Sequence, residues 1–361
     1  MALKFSESPA VRVREVDLTG VVPGVTSSTG AIVGDFAWGP VNTPVLVGSE
    51  TELAANFGSP ISGGNAADFL SAAYFLKYSS SAFVVRASKD GSSQASADLF
   101  TAKYDGKLGN TLTVHVCDSV IWENSPVLGP DGVQLLDSDG EGVTEPWPYQ
   151  SLFTSAPESD ELHVVVVTPV EGKDEETVLE TYEYLSTVAG TTLDTGASNY
   201  VTEVINKSSS WISLENGVVN GGAYSLSGGK DGTGASTPAK YLEAYGVFED
   251  KDTIQIDFLI PPAGISGDRD ASVALQKELV SIAELRMDCV AVVSPSVSAG
   301  TSLSVDDMLT HVEELATNSS YLFVDGNWLK VYNKYQDVYA FIPAASSTAG
   351  LMAATDSVSA A

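Results

Sequence analysis

Hydrophobic and polar positions change period several times along the chain. Ala10-Val11-Arg12-Val13-Arg14-Glu15-Val16 alternates apolar and polar residues, the period of a half-buried strand. Pro9 stands before it, and Gly20, Pro23 and Gly24 break the chain after it, so residues 1–27 read as an extended arm. A lone short strand is not stable and has to pair with a sheet, its own or a neighbour's.

Gly30 to Gly34 reads as a short buried strand, Trp38-Gly39-Pro40 as a turn and Pro44 to Val47 as a second strand. Ser49 is placed to cap a helix from Glu52 to Phe57 that Gly58 closes. Ala66 to Tyr78 has helical spacing, with Phe69, Ala72, Ala73 and Leu76 on one face, and Ala82 to Arg86 reads as a strand. The character changes at Ser88. Residues 88–250 are rich in β-branched residues, Gly, Ser and acid, with strands expected at Thr111–Val116, Leu162–Thr168 and Tyr200–Ile205. Glu123 to Glu158 reads as an exposed excursion, and Ser225 to Gly234, with its glycines, as a flexible junction. From residue 251 strand and helix periods alternate again. A strand at Ile254–Ile260, a helix at Asp270–Met287, a strand at Cys289–Val293 and a helix at Asp306–Leu315 favour parallel pairing under helices. Tyr321–Val324 and Trp328–Tyr332 around Asp325-Gly326 read as a hairpin.

The expected fold class is therefore α/β. Residues 28–87 plus 251–361 form a discontinuous α/β core domain, residues 88–250 an inserted β-rich outer domain, and residues 1–27 the N-terminal arm.

Composition narrows the function. Hydrophobic residues make up 43% of the 361, enough for a sizeable core. No apolar run approaches the roughly 20 residues of a membrane helix. The 47 acidic and 18 basic side chains leave a formal charge of −29, and residues 101–250 carry 24 acidic against 6 basic. A phosphate backbone would be repelled, which argues against direct nucleic-acid binding. The two cysteines, Cys117 and Cys289, sit far apart in strand-like runs with no Cys/His cluster, so neither a disulfide framework nor a zinc site is expected.

Candidate chemistry is sparse. His115 and His163 lie among valines and His311 on an acidic helix, none placed beside a nucleophile. Gly228-Gly229-Lys230-Asp231 fails as a phosphate loop, because Tyr224 stands where the first glycine belongs and Asp231 where a Ser or Thr belongs. Asp137-Ser138-Asp139-Gly140-Glu141-Gly142 opens like a calcium loop, but Pro148 occupies the place of its bidentate Glu. No catalytic residue, cofactor or metal is expected.

An ordered set of motifs resembles the tail sheath proteins of contractile-tailed bacteriophages. Gly34, Trp38-Gly39-Pro40 and Phe57-Gly58 match that family's opening; Val84-Val85-Arg86-Ala87 follows a helix as it does there. Tyr104-Asp105-Gly106-Lys107-Leu108-Gly109-Asn110 looks like the start of the family's inserted domain and Leu226-Ser227-Gly228-Gly229 like its end. Arg286 to Cys289, Val324 to Trp328 and Ala349 to Asp356 then occur in family order. Two departures are visible. Only residues 88–102 stand where the largest sheaths carry a further outer domain. The chain also stops where relatives continue into a tube-facing domain and C-terminal arm, so a truncated form is expected.

The resemblance implies a structural subunit, not an enzyme. It implies stacked hexameric rings around a tail tube, contraction that drives the tube through the host envelope, and partners in other sheath subunits, the tube protein, baseplate and tail terminator. It implies assembly in the host cytoplasm and residence in the virion tail. It also assigns Val11, Arg12, Val13, Arg14, Glu15 and Val16 to an inter-subunit strand. Sheaths of type VI secretion systems and pyocins share the architecture. A dinucleotide-binding enzyme would need a glycine fingerprint that Gly30 and Gly34 do not supply. A decoration or receptor-binding module would need aromatic residues presented by 123–158.

Overall fold

The first apolar run folds as its pattern predicts, and a helix pressed against it explains its composition. In this computed structural model, residues 28–60, 65–127, 129, 133–170, 175–233, 237–265, 268–296 and 304–358 are described. Strand β1 (Gly30–Gly34) is buried along its whole length. A Cβ at Gly30 would stand 2.6 Å from the Phe75 ring, so glycine is what lets the covering helix approach. Strand β2 (Val45–Val47), helices α1 (Glu50–Phe57) and α2 (Ala66–Leu76) and strand β3 (Ala82–Arg86) follow. Ser49 Oγ accepts from Glu52 N, and Gly58 ends α1 at φ +74°, so this helix has the limits its sequence announces.

Residues between 88 and 233 build separate sheets. Strands β4 (Thr113–Cys117), β5 (Glu161–Pro169), β6 (Glu176–Ser186) and β7 (Gly222–Ser225) form an antiparallel sheet in the order β6-β5-β4-β7. One face packs on helix α3 (Val201–Ser208) through Val164, Val166, Val201 and Ile205. Tyr200–Ile205 was expected as a strand and is instead the start of this helix. Val201, Thr202 and Ile205 are buried while Glu203 and Lys207 face water, so one-sided burial outweighs the β propensity of Val, Thr and Ile. The other face of the sheet buries Val165, Val167 and Cys117 under Trp147, which lies inside the 123–158 excursion.

Helices α4 (Pro238–Tyr245) and α5 (Arg269–Arg286) return the chain to β1. Strands β8 (Phe258–Ile260), β9 (Val290–Val293) and β10 (Leu322–Val324) complete a six-stranded sheet in the order β10-β9-β8-β1-β3-β2, parallel except for β2. Helix α6 (Val305–Leu315) covers the β10 side. Strands β11 (Trp328–Asn333) and β12 (Val338–Pro343) form a hairpin, and α7 (Ala345–Val358) closes the described chain. Ile32, Val84 and Ile260 point to α1, α2 and α7, whereas Ala31, Val33 and Leu259 point to α4 and α5. Alternation along each strand thus feeds two cores, one on each face.

Three further expectations are corrected. Only Phe258–Ile260 of the run from Ile254 is strand, because Ile254 N donates to Asp250 O and Ile254 O accepts from Arg286, which keeps the start of the run in the preceding turn. Leu322–Val324 does not pair with Trp328–Tyr332; it is taken into the parallel sheet by β9, and β11 pairs with β12 instead. Finally, Tyr241, Tyr245 and Phe248 belong to the core of the parallel sheet, so a boundary at residue 250 falls too late.

The connection between the two regions is held by the motif residues. Trp38, in the loop after β1, is buried in the core of the antiparallel region, stacked 5.4 Å from Trp211 and edge-on to Tyr104. Arg86, ending β3, donates to Gly39 O, Asp105 Oδ1 and Asp105 O. Asn110 and Gly229 exchange two hydrogen bonds, at 2.9 and 2.7 Å, and Lys107 N donates to Asp231. The described part of this junction, Ser225 to Thr233, is therefore tied along much of its length, with Lys230–Asp231 paired to Ser92–Ser93, rather than loose as its glycines suggest.

Arg286 offers a direct test of how the second segment is held. Its side chain is fully buried, donates to Phe248 O and to Ile254 O at 2.9 Å, and pairs with Asp288 at 2.9 Å. Arg286→Met would strand both carbonyls, and the expected loss is about 3 kcal/mol of stability in urea unfolding. A loss below about 1 kcal/mol would show that the guanidinium holds nothing essential there.

Candidate assembly site

The predicted arm strand, Val11, Arg12, Val13, Arg14, Glu15 and Val16, lies outside the described residues, but its root is visible. Thr29 N donates to Asp257 Oδ2 at 2.7 Å, Ser28 Oγ to Asp356 Oδ2 at 2.9 Å, and Ser79 Oγ to Ser28 O at 3.0 Å. Burial, with Asp356 and Asp288 nearby, raises the Asp257 pKa above the usual carboxylate range. The chain thus enters the sheet beside the last turn of α7, at the start of β1.

A strand added from elsewhere needs an open sheet edge. Among the described residues the parallel sheet offers β2 and β10, each three residues long. The edge strand β6 is long but carries Glu176, Glu180 and Glu183, a charge pattern that discourages pairing. The hairpin differs from both. β11 and β12 pair over six residues each, and neither has a second strand partner among the described residues. Two strands alone are marginal in water; this pair is held by its inner face, where Val331 and Ile342 bury against Leu70 of α2. Its two ends are fixed as well. Trp328 Nε1 donates to Pro295 O at 2.9 Å at the base, and at the tip Tyr335 OH and Lys334 Nζ each reach Glu50 Oε1 of α1 at 3.0 Å.

The outer face of the hairpin carries Lys330, Tyr332, Tyr339 and Phe341, all exposed. The Tyr332 and Tyr339 rings lie 5.5 Å apart, and Lys330 Nζ sits 4.9 Å above the Tyr339 ring. Nothing in the pattern of Trp328–Tyr332 distinguished this face in the sequence, because β12 was not recognised as its partner.

The three histidines and the Asp137 turn are engaged in packing and local hydrogen bonds. His163 is stacked 4.2 Å from Phe153; its Nδ1 accepts from Tyr184 N and its Nε2 donates to Ser155 O, which fixes one neutral tautomer. His115 stands 3.8 Å from Glu176, and burial lowers its pKa. His311 is wholly buried: Nε2 donates to Gln276 Oε1 at 2.8 Å, and Nδ1 faces Ser296, itself buried. Asp137 Oδ1 accepts from Asp139 N and Glu141 N, an Asx turn that needs no cation. No group of three potential metal ligands occurs among the described residues. Asp68, missed in the sequence, is buried on α2 and accepts from Asp35 N, Gly264 N and Tyr241 OH. Burial pushes its pKa up to about 7. It ties together the loops after β1 and β8; the only signal was a carboxylate inside an apolar helical run.

Comparison with known proteins gives a consistent picture. The family described as "Tail sheath protein Gp18 domain III N-terminal region" matches residues 27–87. The chain is 25% identical to a tail sheath protein of Salmonella phage ViI, across 97% of this chain and 70% of that protein. It is 24% identical to the tail sheath protein of Enterobacteria phage T4, across 72% of this chain but 40% of that protein. The sheath tail protein Lin1278 of Listeria innocua has the same fold at a TM-score of 0.51 and 15% identity, over 92% of this chain and 57% of that one.

The buried His311 gives a pH test. Burial, with Arg269 nearby, pushes its pKa down to about 4, below the ordinary 6.5. A depressed histidine destabilises the fold as pH falls from 6.5 towards 4, because only the unfolded chain takes the proton. Asp68, raised in the fold, acts in the opposite direction over the same range, so the comparison has to be a difference. The stability gap between wild type and His311→Gln should narrow by about 3 kcal/mol between pH 7 and pH 4. A gap independent of pH would contradict the buried neutral imidazole.

Proposed function

We propose, from the premise that this chain belongs with the tail sheath proteins of contractile-tailed bacteriophages, that it polymerises as stacked hexameric rings around a tail tube. It is a structural protein of the virion tail and not an enzyme. In the proposed cycle the subunits assemble in the host cytoplasm in an extended state, and the baseplate triggers contraction. Their joint movement then drives the tube through the host envelope. Tube protein, baseplate and tail terminator are the remaining partners of this reading.

The two chain segments of the parallel sheet form one rigid domain in this proposal. Residues 88 to about 237 form the inserted outer domain, its limit moved from 250 because α4 packs with the parallel sheet. The N-terminal arm links subunits: Val11 to Val16 adds as a strand to the β11–β12 hairpin of a neighbour. The observation that carries this is the hairpin itself, two strands anchored at base and tip with both outer edges open. Each added backbone hydrogen bond contributes about 0.5–1.5 kcal/mol net, small per subunit but summed over a polymer. A receptor-binding reading finds no support in the excursion, whose Trp147 packs inward with Trp122 and Phe153.

Deleting residues 1–24 should leave the parallel sheet folded, with an unchanged thermal transition, and abolish striated tubes in electron micrographs. Normal tubes from the deletion would remove the arm from the linkage. Loss of folding would place the strand in its own core.

A further inference from the structure

A second copy of this chain also has a place to dock that does not involve the arm. Helix α6 is apolar on two sides. His311 and Leu315 face the core, while Val305, Leu309 and Val312 form a stripe at spacings of four and three residues that is 67%, 56% and 46% exposed. Asp306 and Glu313 flank that stripe at i, i+3 and i+7 about Leu309, both exposed and with no cation partner among the described residues. The face is thus hydrophobic with an acidic margin.

The hairpin presents the converse. In a chain with 47 acidic and 18 basic side chains, Lys330 and Lys77 have no carboxylate partner among the described residues. Lys330 lies over Tyr339 and Phe341, and Lys77 lies 4.6 Å over Tyr74. Tyr74, Lys77, Tyr332 and Lys334 line a groove of about 250 Å³ between α2 and β11, together with Glu50, whose carboxylate is paired with Lys334, while Tyr332 OH donates to Asp337 at the tip. An exposed aromatic surface on which Lys77 and Lys330 stay without a carboxylate partner among the described residues fits an apolar helix with free carboxylates.

The two faces belong to different layers: α6 packs with Val273 of α5, and the hairpin packs on Leu70 of α2. α6 packs over Leu322 and Val324 at the β10 edge, whereas the hairpin tip is tied to Glu50 of α1, which follows the β2 edge. The hairpin base lies near α6, with Trp328 bonded to Pro295 O and Gly326 beside Met308, and it is the Tyr332–Tyr339 end that stands away from α6. A contact between unlike patches does not close on itself in a pair; it repeats, giving a ring or a helix. We infer that the Val305-Leu309-Val312 face of α6 docks on the aromatic and lysine face of the hairpin and α2 groove of the next copy. The contact rests on the sheath reading for its biological setting, yet it is chemically independent of the arm. A strand added along the edge of the hairpin leaves its outer face free.

Cross-linking tests the contact directly, since native Cys117 and Cys289 are both buried. The full chain carrying Leu309→Cys and Tyr339→Cys, treated with a short bis-maleimide, should give a ladder of dimers, trimers and higher species. Either single variant should give none. Adding Lys77→Glu and Lys330→Glu should lower the ladder about tenfold, and combining these with Asp306→Lys and Glu313→Lys should restore it. Circular dichroism checks that each variant is folded. No ladder from a folded double-cysteine chain overturns the contact. So does a dimer from Leu309→Cys alone, which would mean a two-fold α6–α6 contact. Electron micrographs of the wild-type chain separate this result from the sheath reading. Striated tubes without a ladder sink the contact and keep the sheath, whereas a ladder without rings or tubes keeps the contact and sinks the sheath.

Discussion

The position of β1 between β3 and β8 is the constraint on which everything else rests. Its residues Gly30 to Ile32 pair with Ala82 to Val84 on one side and with Phe258 to Ile260 on the other. The two neighbours are thus some 170 residues apart in sequence and meet only through this strand. β1 can pair early with nearby β3, but its β8 edge gains nothing until the long loop closes. The composition follows. β1 carries glycine at both ends for close approach of α2 and Phe36, and small or branched apolar residues between them for the two cores.

The long chain between β3 and β8 would be a burden on that sheet if it were loosely attached. It is instead clamped where it leaves and returns. Arg86 holds Asp105 and the Gly39 carbonyl, Trp38 reaches into the core of the antiparallel region, and the Asn110–Gly229 exchange joins the start of that region to its end. Buried guanidinium contacts and stacked indoles resist bending. In the proposed sheath this directs motion to the contacts between subunits, where many small free-energy differences add, rather than into the subunit.

Much of the parallel region was legible because local signals and burial agree there. Ser49 and Gly58 bound α1, Ala66–Leu76 shows its apolar face, and the Ala82–Arg86 and Cys289–Val293 runs are too apolar for a half-exposed strand. The failures have physical causes. Val201–Ser208 is made of strand-favouring residues but has one side to bury. Asp325-Gly326 has the chemistry of a hairpin turn, yet Asp325 N donates to Val293 O and Leu322–Val324 is already held by β9. The outer face of β11 and β12 was invisible because an exposed aromatic looks the same in sequence as a buried one. The candidate assembly site was legible only as an arm needing a partner, since which edge stays open is a property of the whole fold.

Native-state hydrogen exchange measures most directly whether two distant segments form one body through β1. The account predicts that the amides of Gly30–Gly34, Ala82–Arg86, Phe258–Ile260 and Val290–Val293 exchange with one common free energy, equal to that of global unfolding. Exchange at Phe258–Ile260 while Gly30–Gly34 stays protected would show that the second segment opens by itself, and would contradict the account.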